Sequence, residues 1–193
     1  MEKPILFSAP MVRAILEGRK TMTRRILKPQ PDSIGGKIDA LFKWHIGDRL
    51  WVRETFCCHS GRAPDPIKEP DLSRRATAIL GNGEIIFTYY KADCDKIPLE
   101  HLKWKPSIHM PRWASRITLE VTGVKVHRLQ DISRGDAMEG GCPFPNMANG
   151  TDPRDWFADI WQSSNGNGSW QENPWVVAVS FKRVLLAMPK VTP

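Results

Sequence analysis

The sequence predicts an α+β fold, namely a small mixed or antiparallel β-barrel with short flanking helices and one surface insertion. Five or six segments have the alternation, or the β-branched and aromatic content, that is typical of strands. Two or three short helical patterns lie among them, but no helix stands regularly between successive strands, as a parallel α/β sheet requires. The glycine-rich phosphate loops of nucleotide-cofactor folds do not occur in the sequence.

The N-terminal part is predicted to contain a strand, a helix and two further strands. Residues 4–7 form a short strand, and Ser8, with a proline two residues later, is typical of a helix N-terminus. Gly18 is typical of the turn that ends a helix. Residues 22–27 are predicted to be extended until two prolines end the strand. Residues 47–56 (GDRLWVRETF) alternate and predict the next strand.

The remaining elements follow a segment rich in Pro, Gly, Arg and Asp at residues 57–83, which predicts the surface insertion. Further strands are predicted at residues 84–90, 116–129 (one strand, or two bent at Gly123) and 174–185, and helices at residues 132–138 and 153–161. Asp152 is the expected N-cap of the second helix. We expect a single domain over residues 1–186 and a C-terminal tail over residues 187–193.

Composition excludes several classes of protein. No apolar stretch approaches the roughly 20 residues that span a bilayer, and the N-terminus has no secretory pattern, so we expect a cytoplasmic protein without a membrane partner. The four cysteines and five histidines have no zinc-type spacing, which predicts neither a metal nor another cofactor. The net charge of +7 favours nucleotides or RNA as partners. Nothing indicates the oligomeric state, and a monomer is favoured.

The turn at residues 18–25 (GRKTMTRR) carries the strongest chemical signal. A glycine lets the chain leave the helix at once, so the side chains of Lys20 and Thr23 can meet around one pocket. A lysine surrounded by positive charges has a lowered pKa and can accept a proton from a threonine hydroxyl. Three arginines supply these charges: Arg19, Arg24 and Arg25. The same residues also fit a basic turn that only contacts phosphate or solvent.

The segments PILFSAPMVRAILEGRKTMTRR and GDRLWVRETF resemble the opening of the ASCH domain, a family of the PUA-like superfamily, in the longer form found in bacterial and prophage proteins. The resemblance extends to KPSIHMPRWASRITLEVT, LQDISRGDAMEGG and NPWVVAVSFKRV, and so covers most of the chain. It implies a PUA-like barrel with a cleft beside the turn.

The resemblance also implies an activity. Some small bacterial members hydrolyse 4-acetylcytidine to cytidine and acetate with a Lys, a Thr and a downstream Glu. It therefore implies Lys20 as the base and Thr23 as the nucleophile. The acid usually lies three residues after a helical alanine and just before a glycine. The third residue after Ala137 is Gly140, so either the segment is one residue shorter and Glu139 is the acid, or the acid has been lost.

Further residues are predicted to bind the nucleoside or nucleobase: Arg19, Thr21, Arg24, Arg25, Glu54, Arg112 and Trp113. Glu54 is either an orienting group for Lys20, or a second acid, or a structural counter-ion, because a buried carboxylate needs a partner. Trp113 is suited to stacking on a base. We predict a metal-independent amidohydrolase that acts on a 4-acylated cytosine or cytidine. The alternative is a non-catalytic module that binds RNA or a modified nucleobase, as other members of these families do.

Overall fold

The computed structural model describes residues 2–31, 43–60, 77–79, 85–93, 103–143 and 152–184. The strands within these ranges are β1 (Glu2–Leu6), β2 (Met22–Ile26), β3 (Arg49–Arg53), β4 (Phe56–Ser60), β5 (Thr77–Ile79), β6 (Ile85–Tyr90), β7 (Thr118–Arg128) and β8 (Trp175–Val184). The α-helices are α1 (Ala9–Leu16), α2 (Arg134–Glu139) and α3 (Pro153–Asn165). No helix of the described residues is long and apolar enough to cross a membrane.

The strands form two sheets. The larger has the order β1-β3-β7-β8-β2, with β1 parallel to β3 and β2 antiparallel to β8, and the smaller has the antiparallel order β4-β6-β5. The predicted α+β class is therefore confirmed. Within the described ranges β1 and β2 are the edges of an open five-stranded sheet, so the closed barrel stays a prediction.

The chain forms two compact units. The first comprises the described residues within Met1–Arg13, Arg49–Leu119 and Arg183–Pro193, and the second those within Ala14–Asp48 and Glu120–Lys182. The single domain predicted over residues 1–186 stays a prediction. Parts of the predicted insertion at residues 57–83 belong to β4 and β5. The rest of it, and the predicted tail at residues 187–193, lie outside the described residues.

The second unit has its apolar core where α2 and α3 pack on the sheet. As predicted, Asp152 is the N-cap of α3 and accepts a hydrogen bond from the Arg154 amide at 2.9 Å. The buried cluster consists of Leu129, Ile132, Ala137, Phe157, Trp161 and Val176. Burial of each large side chain contributes about 1.5–3 kcal/mol, which fixes α2 and the turn at its C-terminus on the sheet.

The first unit has a separate cluster beneath the smaller sheet. It comprises Phe56, Tyr90, Met110 and Ala114, all nearly inaccessible to solvent. The Tyr90 hydroxyl donates to the Ala114 carbonyl oxygen at 2.8 Å, so the buried polar end of this ring has a partner.

Candidate active site

The turn between α1 and β2 places Lys20 beside the end of α2. Gly18 has a φ of +78°, a left-handed conformation that glycine adopts at little cost, so the chain turns directly after α1. The Lys20 amide then donates to the Ala14 carbonyl oxygen at 3.0 Å. Lys20 also forms an antiparallel bridge with Gly140. Main-chain contacts therefore fix the lysine before β2 begins.

The side-chain amine of Lys20 is buried and lies near cations. The residue is 5% exposed, and its Nζ donates to the carbonyl oxygens of Gly140 at 2.7 Å and Met22 at 2.9 Å. Burial, together with the charges of Arg25 and Arg24, lowers the pKa of this amine to about 7. Near neutral pH the amine is therefore divided between its charged and neutral forms.

The hydrogen bonds from Nζ to the Met22 and Gly140 carbonyl oxygens also constrain the direction of its lone pair. A neutral lysine amine has two N–H bonds and one lone pair, and the carbonyl oxygens of Met22 and Gly140 can only accept. When both N–H bonds point to these oxygens, the lone pair occupies the third direction about Nζ. An amine that is oriented in this way and changes its charge near pH 7 has the properties of a general base.

Two consecutive glycines allow this close approach. A Cβ on Gly141, whose φ is +105°, would lie 3.1 Å from Ala14 Cβ and 3.2 Å from Lys20 Cβ. A Cβ on Gly140 would lie 2.9 Å from the Ala137 carbonyl oxygen. Side chains would be strained at both positions. The third residue after Ala137 thus contributes a main-chain carbonyl to Lys20.

Thr23 is the first buried residue of β2. It is 4% exposed and pairs with Val179 of β8. Successive side chains of a strand project to opposite faces, so Thr23 and Arg25 share one face of β2, and Met22 and Arg24 share the other. The hydrogen bond from Lys20 to the Met22 carbonyl brings the amine to the peptide that precedes Thr23.

Glu139 is tied to the same turn through its backbone. Its carbonyl oxygen accepts a hydrogen bond from the Thr21 amide at 2.9 Å, and its side chain is exposed. Burial lowers the pKa of Arg24, and the negative charges of Asp136 and Glu139 oppose this effect. The carboxylate of Glu139 therefore acts electrostatically on the guanidinium of Arg24.

The three predicted arginines have different surroundings. Arg24 is buried, forms an ion pair with Asp136 at 3.1 Å and lies over the Phe157 ring at 5.4 Å. Arg25 is half-buried, and burial lowers its pKa. Arg19 donates through Nε to Glu17 at 2.8 Å and through Nη1 to the Gly141 carbonyl oxygen at 2.8 Å. Arg19 therefore links the turn to Gly141, the residue that follows the lysine's partner Gly140.

The other predicted binding residues belong to the first unit. Glu54 is 1% exposed and accepts two hydrogen bonds from Arg116, at 2.9 and 3.0 Å. Burial raises the pKa of Glu54, whereas Arg116 opposes this effect. Arg112 forms an exposed ion pair with Glu2 at 2.7 Å, and the neighbouring Trp113 is 46% exposed.

The sequence analysis missed two groups of the second unit, the carbonyl of Gly140 that binds Lys20 and the carboxylate of Asp136 that binds Arg24. In the first unit it missed the guanidinium of Arg116, which binds Glu54. Asp136 could have been found, because a serine three residues before it predicts a capping box, which the structure contains. A main-chain carbonyl leaves no signal in residue type. No group of three or more His, Cys, Asp or Glu side chains that could hold a metal ion occurs within the described ranges.

Comparisons with known proteins returned similar solved structures. No protein-family model matches the sequence, and no curated protein matches it. One similar structure is an ASCH domain from Lactobacillus crispatus JV V101, with 14% identity and a TM-score of 0.41 over 94% of this chain and 79% of that chain.

Two further solved structures are similar to the chain. The protein EF3133 from Enterococcus faecalis V583, of the family DUF984, has 11% identity and a TM-score of 0.46 over 100% of this chain and 86% of its own. The hypothetical protein PH0355 has 9% identity and a TM-score of 0.44 over 95% of this chain and 100% of its own. Similarity at this level says nothing about activity.

Proposed function

We propose that this protein is a hydrolase that cleaves the amide bond of a 4-acylated cytosine or cytidine. The observation that carries the proposal is the Lys20 amine, which is buried, has a pKa of about 7 and has two main-chain acceptors that orient it. A buried threonine hydroxyl follows three residues later at Thr23. The substrate class rests on the resemblance of the GRKTMTRR turn to ASCH hydrolases.

The proposed reaction has two halves. Lys20 accepts the hydroxyl proton of Thr23 while Thr23 Oγ1 bonds to the acyl carbon. The carboxylate of Glu139 takes this proton from Lys20 and donates it to the exocyclic nitrogen as the C–N bond breaks, which releases cytosine or cytidine. Water then attacks the acyl-threonine, and Lys20 transfers a water proton to Thr23 Oγ1 as the carboxylic acid leaves. Arg25 shares the Thr23 face of β2 and is suited to stabilising the oxyanion.

Substitution of Thr23 tests the nucleophile. We expect Thr23→Val, which keeps the shape and removes the hydroxyl, to reduce hydrolysis of 4-acetylcytidine to background, while Thr23→Ser keeps measurable turnover. Release of cytidine is followed by chromatography. Mass spectrometry of acid-quenched wild-type protein should find an acetyl group on the peptide that contains Thr23. Equal turnover by the Val and Ser variants would exclude Thr23 as the nucleophile.

Substitution of Glu139 tests the proton relay. We expect Glu139→Gln to lower kcat by about 100-fold, the usual scale for a group that transfers a proton. Glu54→Gln is the matched control, because Glu54 is bound to Arg116. It should lower the free energy of unfolding and leave the kcat of the folded fraction unchanged. Near-normal turnover by Glu139→Gln would show that the Lys20 ammonium, and not Glu139, donates the proton to the exocyclic nitrogen.

One observation favours a second function, the binding of single-stranded RNA without catalysis. In the first unit, Arg53 and Arg112 lie over the Trp51 ring at 5.4 and 5.9 Å, and Trp113 is exposed. Cations over a partly exposed aromatic ring, with an exposed tryptophan next in sequence to one of them, are suited to stacked bases and phosphates. RNA binding of this kind would weaken steeply with added salt and would be insensitive to substitution of Lys20 by arginine.

A further inference from the structure

A concave site lies on the face of β2 that carries Met22 and Arg24. It is a cavity of about 180 Å³, which we call the Gly123 pocket, and these two side chains form one of its walls. Thr23 projects from the other face of the strand. The pocket is therefore distinct from the position proposed for the acyl group.

The floor of the Gly123 pocket is formed by small residues on adjacent strands: Gly123 of β7 and Ala178 and Ser180 of β8. Met22 pairs with Ser180, and a Cβ on Gly123 would lie 3.6 Å from the Ser180 Cβ, so the three residues form one row across the sheet. A glycine inside a strand is typical of a place where another group approaches the backbone closely. The floor is consequently suited to a flat ring.

Two residues of the lining carry buried polar atoms without a hydrogen-bond partner in the described part of the chain. These atoms are Nε2 of His127 and, in Arg24, the donor Nε and Nη2, of which Nη2 lies 3.1 Å from the Asp136 carboxylate in an ion pair. The His127 Nδ1 lies 2.7 Å from the Arg128 carbonyl oxygen, which can only accept, so Nδ1 carries the hydrogen and Nε2 of the neutral ring is an acceptor. Burial lowers the pKa of His127, which favours this neutral form. Buried polar atoms normally have partners.

Charges lie at two further positions. Lys125, an exposed residue, and Asp136, which is paired with Arg24, complete the lining together with the apolar Val124. The volume is below the roughly 300 Å³ at which sites for drug-sized ligands begin, so the pocket has room for one ring.

We propose that the Gly123 pocket binds a single-ring planar heterocycle that presents an acceptor beside a donor, as the amide and amidine edges of pyrimidines do, with an anionic substituent at Lys125. The acceptor pairs with Arg24 Nε and the donor with His127 Nε2, while the ring lies on the small residues of the floor. This binding requires neither Lys20 nor Thr23, so it goes beyond the proposed hydrolysis.

The first test fills the pocket. A Cβ on Gly123 meets Ser180 at ordinary contact distance, and the methyl groups of Gly123→Val would occupy the floor. Thr122→Val is the matched control, because it introduces the same residue at the adjacent exposed position of β7. In calorimetric titrations with cytidine 5′-monophosphate, we expect Gly123→Val to weaken one binding event at least tenfold and Thr122→Val to leave it unchanged. Wild-type protein that does not bind the nucleotide, or unchanged binding by Gly123→Val, would overturn the proposal.

The second test separates this site from the proposed catalytic one. Gly123→Val should still hydrolyse 4-acetylcytidine, and Thr23→Val should still bind the nucleotide in the Gly123 pocket. A Gly123→Val variant that loses both properties would show that the pocket is the substrate cleft, which contradicts a separate site. Lys125→Ala should weaken binding of the nucleotide about fivefold and leave binding of cytidine unchanged. Lys182→Ala, at an exposed lysine outside the pocket, should change the binding of neither ligand.

Discussion

Replacement of Lys20 by arginine is expected to lower the kcat for 4-acetylcytidine roughly 1,000-fold, within the range measured for general bases. The substitution preserves the positive charge but removes the base, because a guanidinium does not lose its proton near neutral pH. Lys182→Arg, at an exposed position of β8, is the matched control and should retain full turnover. Circular dichroism and thermal unfolding establish whether both variants are folded.

The pH dependence of the wild-type protein provides an independent measurement of the same group. The base must be neutral to accept the threonine proton, so kcat/KM should rise as pH increases and level off above about 7. An exposed lysine would place this rise near its ordinary pKa of 10.5. Turnover by Lys20→Arg within tenfold of the wild type, or a rate that is independent of pH between about 6 and 8, would contradict Lys20 as the base.

Removal of the buried cation Arg116 is expected to have the largest effect on stability. Arg116 donates to the carboxylates of Glu54 and Asp93 and lies 3.9 Å from the centre of the Tyr90 ring. Arg116→Leu leaves Glu54 buried without its cation, which costs about 3–5 kcal/mol in comparable buried pairs. Chemical denaturation at pH 7 should show this loss. Because protonation relieves the uncompensated carboxylate, the loss should be smaller at pH 5.

Arg112→Leu is the matched control for this prediction, since it makes the same change in an ion pair that is exposed. The Arg112–Glu2 contact is at least as short as those of Arg116 with Glu54, yet solvent screens it, so its loss should cost less than about 1 kcal/mol. Equal destabilisation by the two substitutions would show that burial of Glu54 does not determine the energy of the Arg116 pair.

Local signals in the sequence predicted most elements of the fold. The Asp152 cap and the glycine turn at Gly18 depend on neighbouring residues only, and both are found in the structure. The segment around Gly123, predicted as one strand or as two bent at this glycine, is one unbroken strand, β7. Part of the predicted insertion forms β4 and β5, whose pairing with β6 involves distant residues that no local pattern specifies.

The candidate site was predictable to a similar degree. Burial is the largest cause of the lowered pKa of Lys20, and of the three arginines predicted to lower it, Arg25 and Arg24 do so. That burial depends on the bridge from Lys20 to Gly140, across 120 positions of the chain, and sequence spacing carries no information about it. The sequence did not identify the partner of Glu54 for the same reason, because Arg116 follows 62 residues later.

The burial of Lys20 has a thermodynamic consequence for folding itself. In the unfolded chain this amine has its ordinary pKa of 10.5, and in the folded protein about 7. Between these values folding releases a proton to the solvent, so the unfolded state binds more protons and the free energy of unfolding rises with pH. Below pH 7 the charged amine costs the folded state about 5 kcal/mol relative to an exposed lysine. Mild alkalinity should therefore both stabilise the fold and supply the neutral amine.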